Sequence, residues 1–435
     1  MRAHSAIIPL PTRYREVAIS NGNQPNSEAG KAKLRRSIGL TGLVLYGLGV
    51  TIGAGIYVLV GETVVRAGTH APAAFLLSAI VMAFTAGSFA ELSGRVPQAA
   101  GEAIYVEAGF HRGWLTLIVG LAVLIEAMIA AAAIAVGASG YVAELIPMPQ
   151  PVLIAGIVLL MATVAAWGIR ESVAIAGAMT LIEILGLLVI IVSGISIDPA
   201  ALAELPAALA PPLSDANAVG GVLAASLIAF FAFIGFDDIV NLVEEARDPK
   251  RDLPWAIAIT LFIVTLIYVL VSFVAIKAVP VEALAETNAP ISLLFEELTG
   301  LPPFAINLIA ILATMNGVVI ILIMAARVAY GMSREGRLPE WLGEVSPKTR
   351  TPLRATVLVA AAVLVLALFT PLDVLAETTS AVMLAVFFMV NIALVRLKMT
   401  GAPTPVDGFT VPLIVPIGGA LSCLGLLAGA MFPGS

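Results

Sequence analysis

Charge is scarce in this sequence: 12% of its 435 residues are Asp, Glu, Lys or Arg, against about 25% in an ordinary soluble domain. A chain so poor in charge cannot clothe a water-exposed surface of that size. Cysteine is nearly absent, and the single one, Cys423, lies in the last apolar run and rules out any intrachain disulfide. The three histidines, His4, His70 and His111, are scattered through the tail and loops, too few and too dispersed for a metal cluster or a histidine-based catalytic centre. The expectation is therefore no metal, no cofactor and no enzyme chemistry. A net charge of -6 gives no reason to expect nucleic acid as a partner.

What the chain has instead is apolar length: 60% hydrophobic residues and a mean hydropathy of +1.03. Runs of roughly twenty apolar residues, the length a helix needs to cross a bilayer, recur from residue 40 onward. Stretches such as MTLIEILGLLVIIVSGISI (179–197) show no period of two, which excludes a β-barrel. The fold class expected is an all-α integral membrane protein with about eleven transmembrane helices. They fall near 40–64, 72–94, 113–143, 151–168, 172–197, 217–243, 254–278, 302–331, 352–370, 373–395 and 411–431. Residues 1–36 are polar and rich in turn formers, with no apolar segment behind their positive charges; they predict a flexible cytoplasmic tail rather than a signal peptide. The remainder, 37–435, is read as one transmembrane domain. With the tail inside, 20 of the 23 Lys and Arg fall on the same side, a bias that orients such proteins with that side cytoplasmic. Eleven crossings then put the carboxyl terminus outside.

Two runs are interrupted by glycine. The first reads GLGVTIGAGIYVLVG, and the sixth reads LIAFFAFIGFDDIV with Gly235 ahead of Asp237. Each opens a set of five spans, so the chain divides into a first repeat at 37–197, a second at 213–396 and an additional helix at 411–431. Repeats of five must sit in opposite orientations, and broken helices at matching places mark the binding site of a secondary transporter. Glycines that merely let helices pack closely are the plainer reading. If both helices unwind, the amides of Gly53, Ala54 and Gly55, at the positive end of a half-helix, would bind an anion. Carbonyls near Thr51 and at Phe231, Ala232 and Ile234 would accept from an ammonium, with Ile52 and Ile56 flanking. A ligand with adjacent carboxylate and amino groups fits, an α-amino acid best. Phe231 is the ring expected to occlude it.

Ionisable groups inside apolar spans are costly and mark function by default. Glu126 and Glu183 lie deepest. Glu183 is a candidate for proton coupling, as an acid protonated when dry and ionised when a pathway opens, with a packing hydrogen bond as the alternative. Glu126 either lines the site or braces the third helix. Asp237 is expected to cap the half-helix after the break. Glu91, Arg95 and Arg327 would pair across a cytoplasmic gate or snorkel to the interface. In EEARDPKRDLP (244–254) the second proline, Pro254, is expected to start the seventh helix.

At these residues the chain resembles a known family. GVTIGAGIYVLVG (49–61), FAELSGRVPQAAGEAIYVEAGF (89–110), LIEAMIAAAAIAVGASGYV (124–142), FFAFIGFDDIVNLVEEARDPKRDLPWAI (230–257) and RVAYGMSREGRLP (327–339) are similar to the amino acid–polyamine–organocation permeases, in particular their cationic amino acid transporter-like branch. The resemblance implies a five-plus-five inverted-repeat, LeuT-like fold with broken helices 1 and 6, and alternating access. It also implies substrate carboxylate on Gly53, Ala54 and Gly55 and substrate amine near Phe231. Many relatives have a twelfth span, and several proton-coupled ones carry a lysine where this chain has Glu183. The function expected is an amino acid permease, proton-coupled or facilitative, in a cell membrane, bacterial inner membrane first. A polyamine or amine exchanger on the same fold, or a receptor built from it, are the alternatives. The oligomeric state is left open.

Overall fold

The computed structural model describes residues 38–96, 101–167, 173–243, 245–334, 336–402 and 408–431. The expected tail at 1–36 and the carboxyl-terminal PGS lie outside them. Among the described residues, eleven long helices follow the eleven apolar runs: α1 (Leu40–Ala67), α2 (Ala71–Arg95), α3 (Gly113–Ala143), α4 (Gln150–Trp167), α5 (Val173–Ile197), α6 (Ala216–Phe231), α7 (Pro249–Ala278), α8 (Phe304–Arg334), α9 (Leu353–Phe369), α10 (Leu372–Met399) and α11 (Ile414–Met431). Eight stretches are both long and apolar enough to cross a membrane, one of them running Gly55–Arg95 through the short turn between α1 and α2. Leu40–Gly53, Leu353–Phe369 and Ile414–Gly429 are shorter apolar helices. Helices suit such sequences because hydrocarbon offers no partner to a backbone N–H or C=O, and a helix satisfies both within itself. Large apolar side chains such as Leu185, Val192, Phe262 and Val357 stand exposed on the outside of the bundle, as a surface facing lipid requires.

Helix α1 lies at the centre, packed against α5, α6, α7 and α8. It does not break. From Leu40 to Ala67 it is one continuous α-helix, so the expected unwinding at Gly53–Gly55 is absent in this conformation. The reason is visible in what its glycines face. A Cβ on Gly47 would come 2.4 Å from Ile239, one on Gly49 2.2 Å from the Thr180 hydroxyl, and one on Gly55 2.4 Å from Ala232 Cα. These glycines let neighbours approach the helix axis, which is the plainer of the two readings.

Helix α6 does break. It ends at Phe231 and resumes as a 3₁₀ helix over Phe236–Leu242. Gly235 takes φ +119° between them, a conformation that favours glycine, and a Cβ there would also press on Val50 of α1 at 2.9 Å. Asp237 does not cap the following turn. Its Oδ1 accepts from the N–H of Gly235, two residues back, at 2.9 Å. Helix α7 begins at Pro249, five residues earlier than expected, and carries Pro254 inside it; Pro249, at the first helical position, is the proline whose missing amide costs the first turn nothing.

One end of the bundle is tied by charge. The Glu91 carboxylate is fully buried and takes hydrogen bonds or ion pairs from Arg95 Nε (2.8 Å) and Nη2 (2.7 Å), Lys398 Nζ (2.7 Å) and the Val411 N–H (2.8 Å). These residues join α2, the end of α10 and the segment leading to α11. Glu91 and Arg95 therefore pair with each other and with Lys398, while Arg327 is exposed on α8; the expected gate of Glu91, Arg95 and Arg327 does not form, because Arg95 lies one turn from Glu91 on the same helix face. Deeper in the same interface the Asn391 Oδ1 accepts a hydrogen bond from the Ser88 hydroxyl (2.6 Å), its Nδ2 donates to the Thr85 hydroxyl (3.0 Å), and Cys423 of α11 lies against Thr85. At this end, too, the segment before α1 is held to the loop after α6: Ile38 N–H donates to Glu245 O and Arg247 N–H donates to Ile38 O.

Candidate functional site

The sequence-predicted residues on α1 and α6 meet. Gly55 lies directly on Ala232 at the point where α6 stops being helical, so the two chains touch backbone to backbone with no side chain between them. Thr51, Ile52, Ile56, Phe231 and Ala232 are all buried, and Ile234 is half-buried. Breaking α6 there leaves carbonyls without helical partners. The Phe231 carbonyl is taken by the N–H of Ile234 at 3.1 Å. The Ala232 carbonyl is met by a residue that sequence reasoning missed, Tyr268 of α7, whose hydroxyl lies 2.9 Å from both Ala232 O and Thr51 O. One hydroxyl has one proton and two carbonyls compete for it, so at any moment one of them has a lone pair to spare. Of the four phenylalanines around the break, Phe230, Phe233 and Phe236 sit in edge-to-face pairs with Phe387, Tyr268 and Phe89. Phe231 belongs to none of those pairs.

Glu183 completes this junction from α5. It is 2% exposed, its Oε2 has no hydrogen-bond partner, and that oxygen lies 3.7 Å from where a Cβ on Gly53 would stand, with the Ala313 carbonyl of α8 at 3.8 Å. Of the α1 glycines from 47 to 55, Gly53 is the one with room beside it. Thr51 Oγ1, at the junction, also lacks a partner, as does Thr260 Oγ1, which lies beside Gly47 further along α1. An unpartnered polar atom in a dry place costs about 1–3 kcal/mol.

Glu126 goes elsewhere. It is buried and within electrostatic range of Asp237 and Asp238, and Glu102 of the short helix Gly101–Phe110 hydrogen-bonds Asp237. The two deep carboxylates of the sequence thus serve different neighbourhoods, Glu183 the junction and Glu126 the far half of α6.

A second tyrosine pair closes the junction on the side where α1 ends. Tyr57 donates to the Glu183 backbone carbonyl at 2.8 Å, Tyr141 of α3 donates to Tyr57 O, and the Ile291 N–H reaches Tyr141 at 3.4 Å. Ile291 belongs to the helix Pro290–Thr299, which with Val281–Glu286 covers the end of α1. Beside the last turns of α1 is a cavity of about 400 Å³ bounded by Val58, Glu62, Gly137, Gln150, Asn288 and Leu372, among others.

The hydroxyl of Tyr268 gives a direct test of the junction. Tyr268→Phe keeps the ring that packs on Phe75 and Phe233 and leaves both carbonyls without it; stability is expected to fall by about 1–3 kcal/mol and uptake with it. A melting curve identical to that of the wild type would remove the bridge.

Known proteins give the same answer by a separate route. The family model described as amino acid permease matches residues 38–435. The branched-chain amino acid permease BcaP of Bacillus subtilis is 30% identical over 432 residues, covering 92% of this chain and 89% of the relative. The vacuolar cationic amino acid transporter 2 of Arabidopsis thaliana is 31% identical, covering 89% of this chain and 62% of its own length. The methylthioribose transporter of Bacillus subtilis is 28% identical, covering 92% and 89%. A bundle of apolar helices, a broken α6 lying on a glycine of α1 and a match along nearly the whole described chain lead to one statement: the protein belongs to the amino acid permease family and is a multi-pass membrane transporter of amino acids, not an enzyme.

Proposed function

We propose that the chain moves its amino acid by alternating access between two inverted halves, 37–197 and 213–396, with the ligand held between Thr51–Ile56 of α1 and Phe231–Ile234 of α6. The observation that carries this reading is the unpartnered Glu183 Oε2 beside Gly53, at the place where α1 crosses the break in α6. In the conformation described, the amides of Gly53, Ala54 and Gly55 belong to the helix. The reading requires α1 to open there when ligand enters, and Gly53 and Gly55 favour that step because glycine is about 1 kcal/mol worse than alanine in a helix. Opened amides then meet the carboxylate, the spare carbonyl of the Thr51–Ala232 pair accepts from the ammonium, and Phe231 closes over the side chain. Glu183 takes up a proton from one side and gives it up on the other, making the protein a proton-coupled symporter. The end carrying Ile38 is cytoplasmic and the far terminus outside, on the charge bias of the sequence, and the membrane is the inner membrane of a bacterium.

Uptake of radiolabelled amino acids, polyamines and methylthioribose into proteoliposomes, with and without an inward proton gradient, tests this. Uptake of one or a few amino acids, stimulated by the gradient, is the expected result; uptake of polyamines alone would make the protein an amine exchanger, and binding without flux a receptor. Glu183→Gln cannot ionise and is expected to flatten the pH dependence of uptake. An unaltered pH profile in that variant would return Glu183 to a packing role.

A further inference from the structure

All four tryptophans of the chain are exposed. Trp114 opens α3, Trp167 closes α4, Trp255 lies in the second turn of α7 and Trp341 follows α8. Successive long helices run in opposite directions, so all four stand at the end that carries Ile38, where an indole ring suits the headgroup layer of a bilayer. Trp167 is the most exposed of them, at 75%. Beside it the loop from α8 to α9 is folded into a fixed shape. The Ser346 N–H donates to Thr351 O and the Arg350 N–H to Ser346 O, both at 2.9 Å, and the Thr351 hydroxyl donates to Ala166 O of α4 at 2.8 Å. Arg350 and Trp167 are each one residue away from that last bond. Arg350 takes φ +57°, a left-handed conformation that favours glycine, so this turn holds an arginine where glycine would be less strained. Of the loop's other cations, Arg354 pairs with Glu344 at 2.7 Å and Arg337 with Glu107 at 3.8 Å. Lys348 and Arg350 are exposed and have no ion pair among the described residues. Glu340, the remaining described acid of the loop, stands at its other end, next to Trp341.

We propose that Lys348, Arg350 and Trp167 form a site for an anionic phospholipid in the leaflet at this end, with the two cations on its headgroup and the indole ring seated just below. The site rests on the bundle spanning a membrane and on nothing in the transport cycle. Charge complementarity selects the headgroup: cations at a membrane surface attract lipids of net negative charge, and a guanidinium matches a phosphate with two parallel hydrogen bonds. The neighbouring surface selects a lipid over an acidic peptide. Leu353 and Val357, one turn apart on α9 directly after the loop, are exposed and give acyl chains an apolar track that a water-soluble partner would leave bare. Because the loop is tied to α4, a lipid held there touches two helices at once, one from each of the halves 37–197 and 213–396.

The test uses a full-length variant whose sole tryptophan is Trp167, with Trp114, Trp255 and Trp341 each replaced by phenylalanine. It is reconstituted in phosphatidylcholine vesicles, and the quenching of Trp167 fluorescence by dibrominated phosphatidylglycerol is compared with quenching by dibrominated phosphatidylcholine. The anionic lipid is expected to be preferred about 25-fold at low ionic strength, or about five-fold for each cation. Lys348→Gln and Arg350→Gln should each lower the preference about five-fold, and high ionic strength should weaken it. Arg350→Gly separates headgroup binding from folding. Glycine suits φ +57°, so this variant should melt no lower than its parent and still lose about five-fold of the preference. Equal quenching by the two lipids, or a preference that survives both glutamine substitutions, overturns the site. A loss of the same size from Arg251→Gln, an exposed cation of the same end on α7, overturns it as well, since the attraction would then belong to the general positive charge of that end.

Discussion

Gly55→Leu is expected to reduce uptake to below about a tenth of the wild-type rate and to lower the melting temperature of the purified protein, since overpacking of one or two methylenes alone costs about 1–3 kcal/mol. The obstacle at this position is backbone. A Cβ would stand 2.4 Å from Ala232 Cα and 3.2 Å from Ala232 O, and a main-chain atom at the break of α6 cannot swing aside as the tip of a side chain can. Either α1 retreats from α6 or the break is remodelled, and both pull apart the carbonyls that Tyr268 bridges. Gly53→Ala is the control. Its Cβ would lie 3.7 Å from Glu183 and 3.8 Å from Ala313 O, ordinary contacts, so the variant is expected to be stabilised by about 1 kcal/mol and to lose uptake only insofar as α1 must open at Gly53. Wild-type uptake and melting in Gly55→Leu would refute the close crossing of α1 and α6.

Glu91→Ala should be the most destabilising single change away from that crossing. Removing this carboxylate strands Arg95 and Lys398, whose side chains are 7% and 16% exposed, and takes the acceptor from the Val411 N–H. Breaking a buried pair by deleting one partner costs about 3–5 kcal/mol, because a charge remains without its counterion. Glu91→Gln keeps an acceptor for the amide and should recover part of the loss. Thermal unfolding in detergent measures both variants. Equal stability of wild type and Glu91→Ala would mean that the Glu91 ion pairs do not hold α11 to α2 and α10.

The course of the chain was open to reading because a bilayer imposes its own ruler: each run from 40–64 to 411–431 is about as long as hydrocarbon is thick, and each became a helix. The break in α6 was readable too, since Gly235 interrupts an apolar run and acid follows directly. The break expected in α1 was not found, and the cause is general. A glycine permits unwinding and close approach alike, and which one occurs depends on the partner across the interface, here Ile239, Thr180 and Ala232, which local sequence does not name. Glu183 was singled out by its depth and does reach Gly53, whereas Glu126, equally deep, feels the carboxylates that follow the break in α6. Depth reports that a charge is costly and says nothing about direction. Tyr268 escaped notice because a tyrosine in an aliphatic helix is read as packing; its hydroxyl matters only once Thr51 and Ala232 lie on either side of it. A polar tip at mid-helix on the span that follows a broken one is the signal that would have found it.

The lone thiol has a practical side. Cys423 is fully buried against Thr85, so maleimide reagents should find almost nothing to react with in the folded wild-type protein. Cysteines placed at will then become clean reporters. A pair at positions 38 and 246, which face each other across the ladder before α1, and another at 62 and 373, at the opposite end, would register each end of the bundle independently. Their spin labels or fluorophores would read, in one chain and without background, whether one end parts while the other closes.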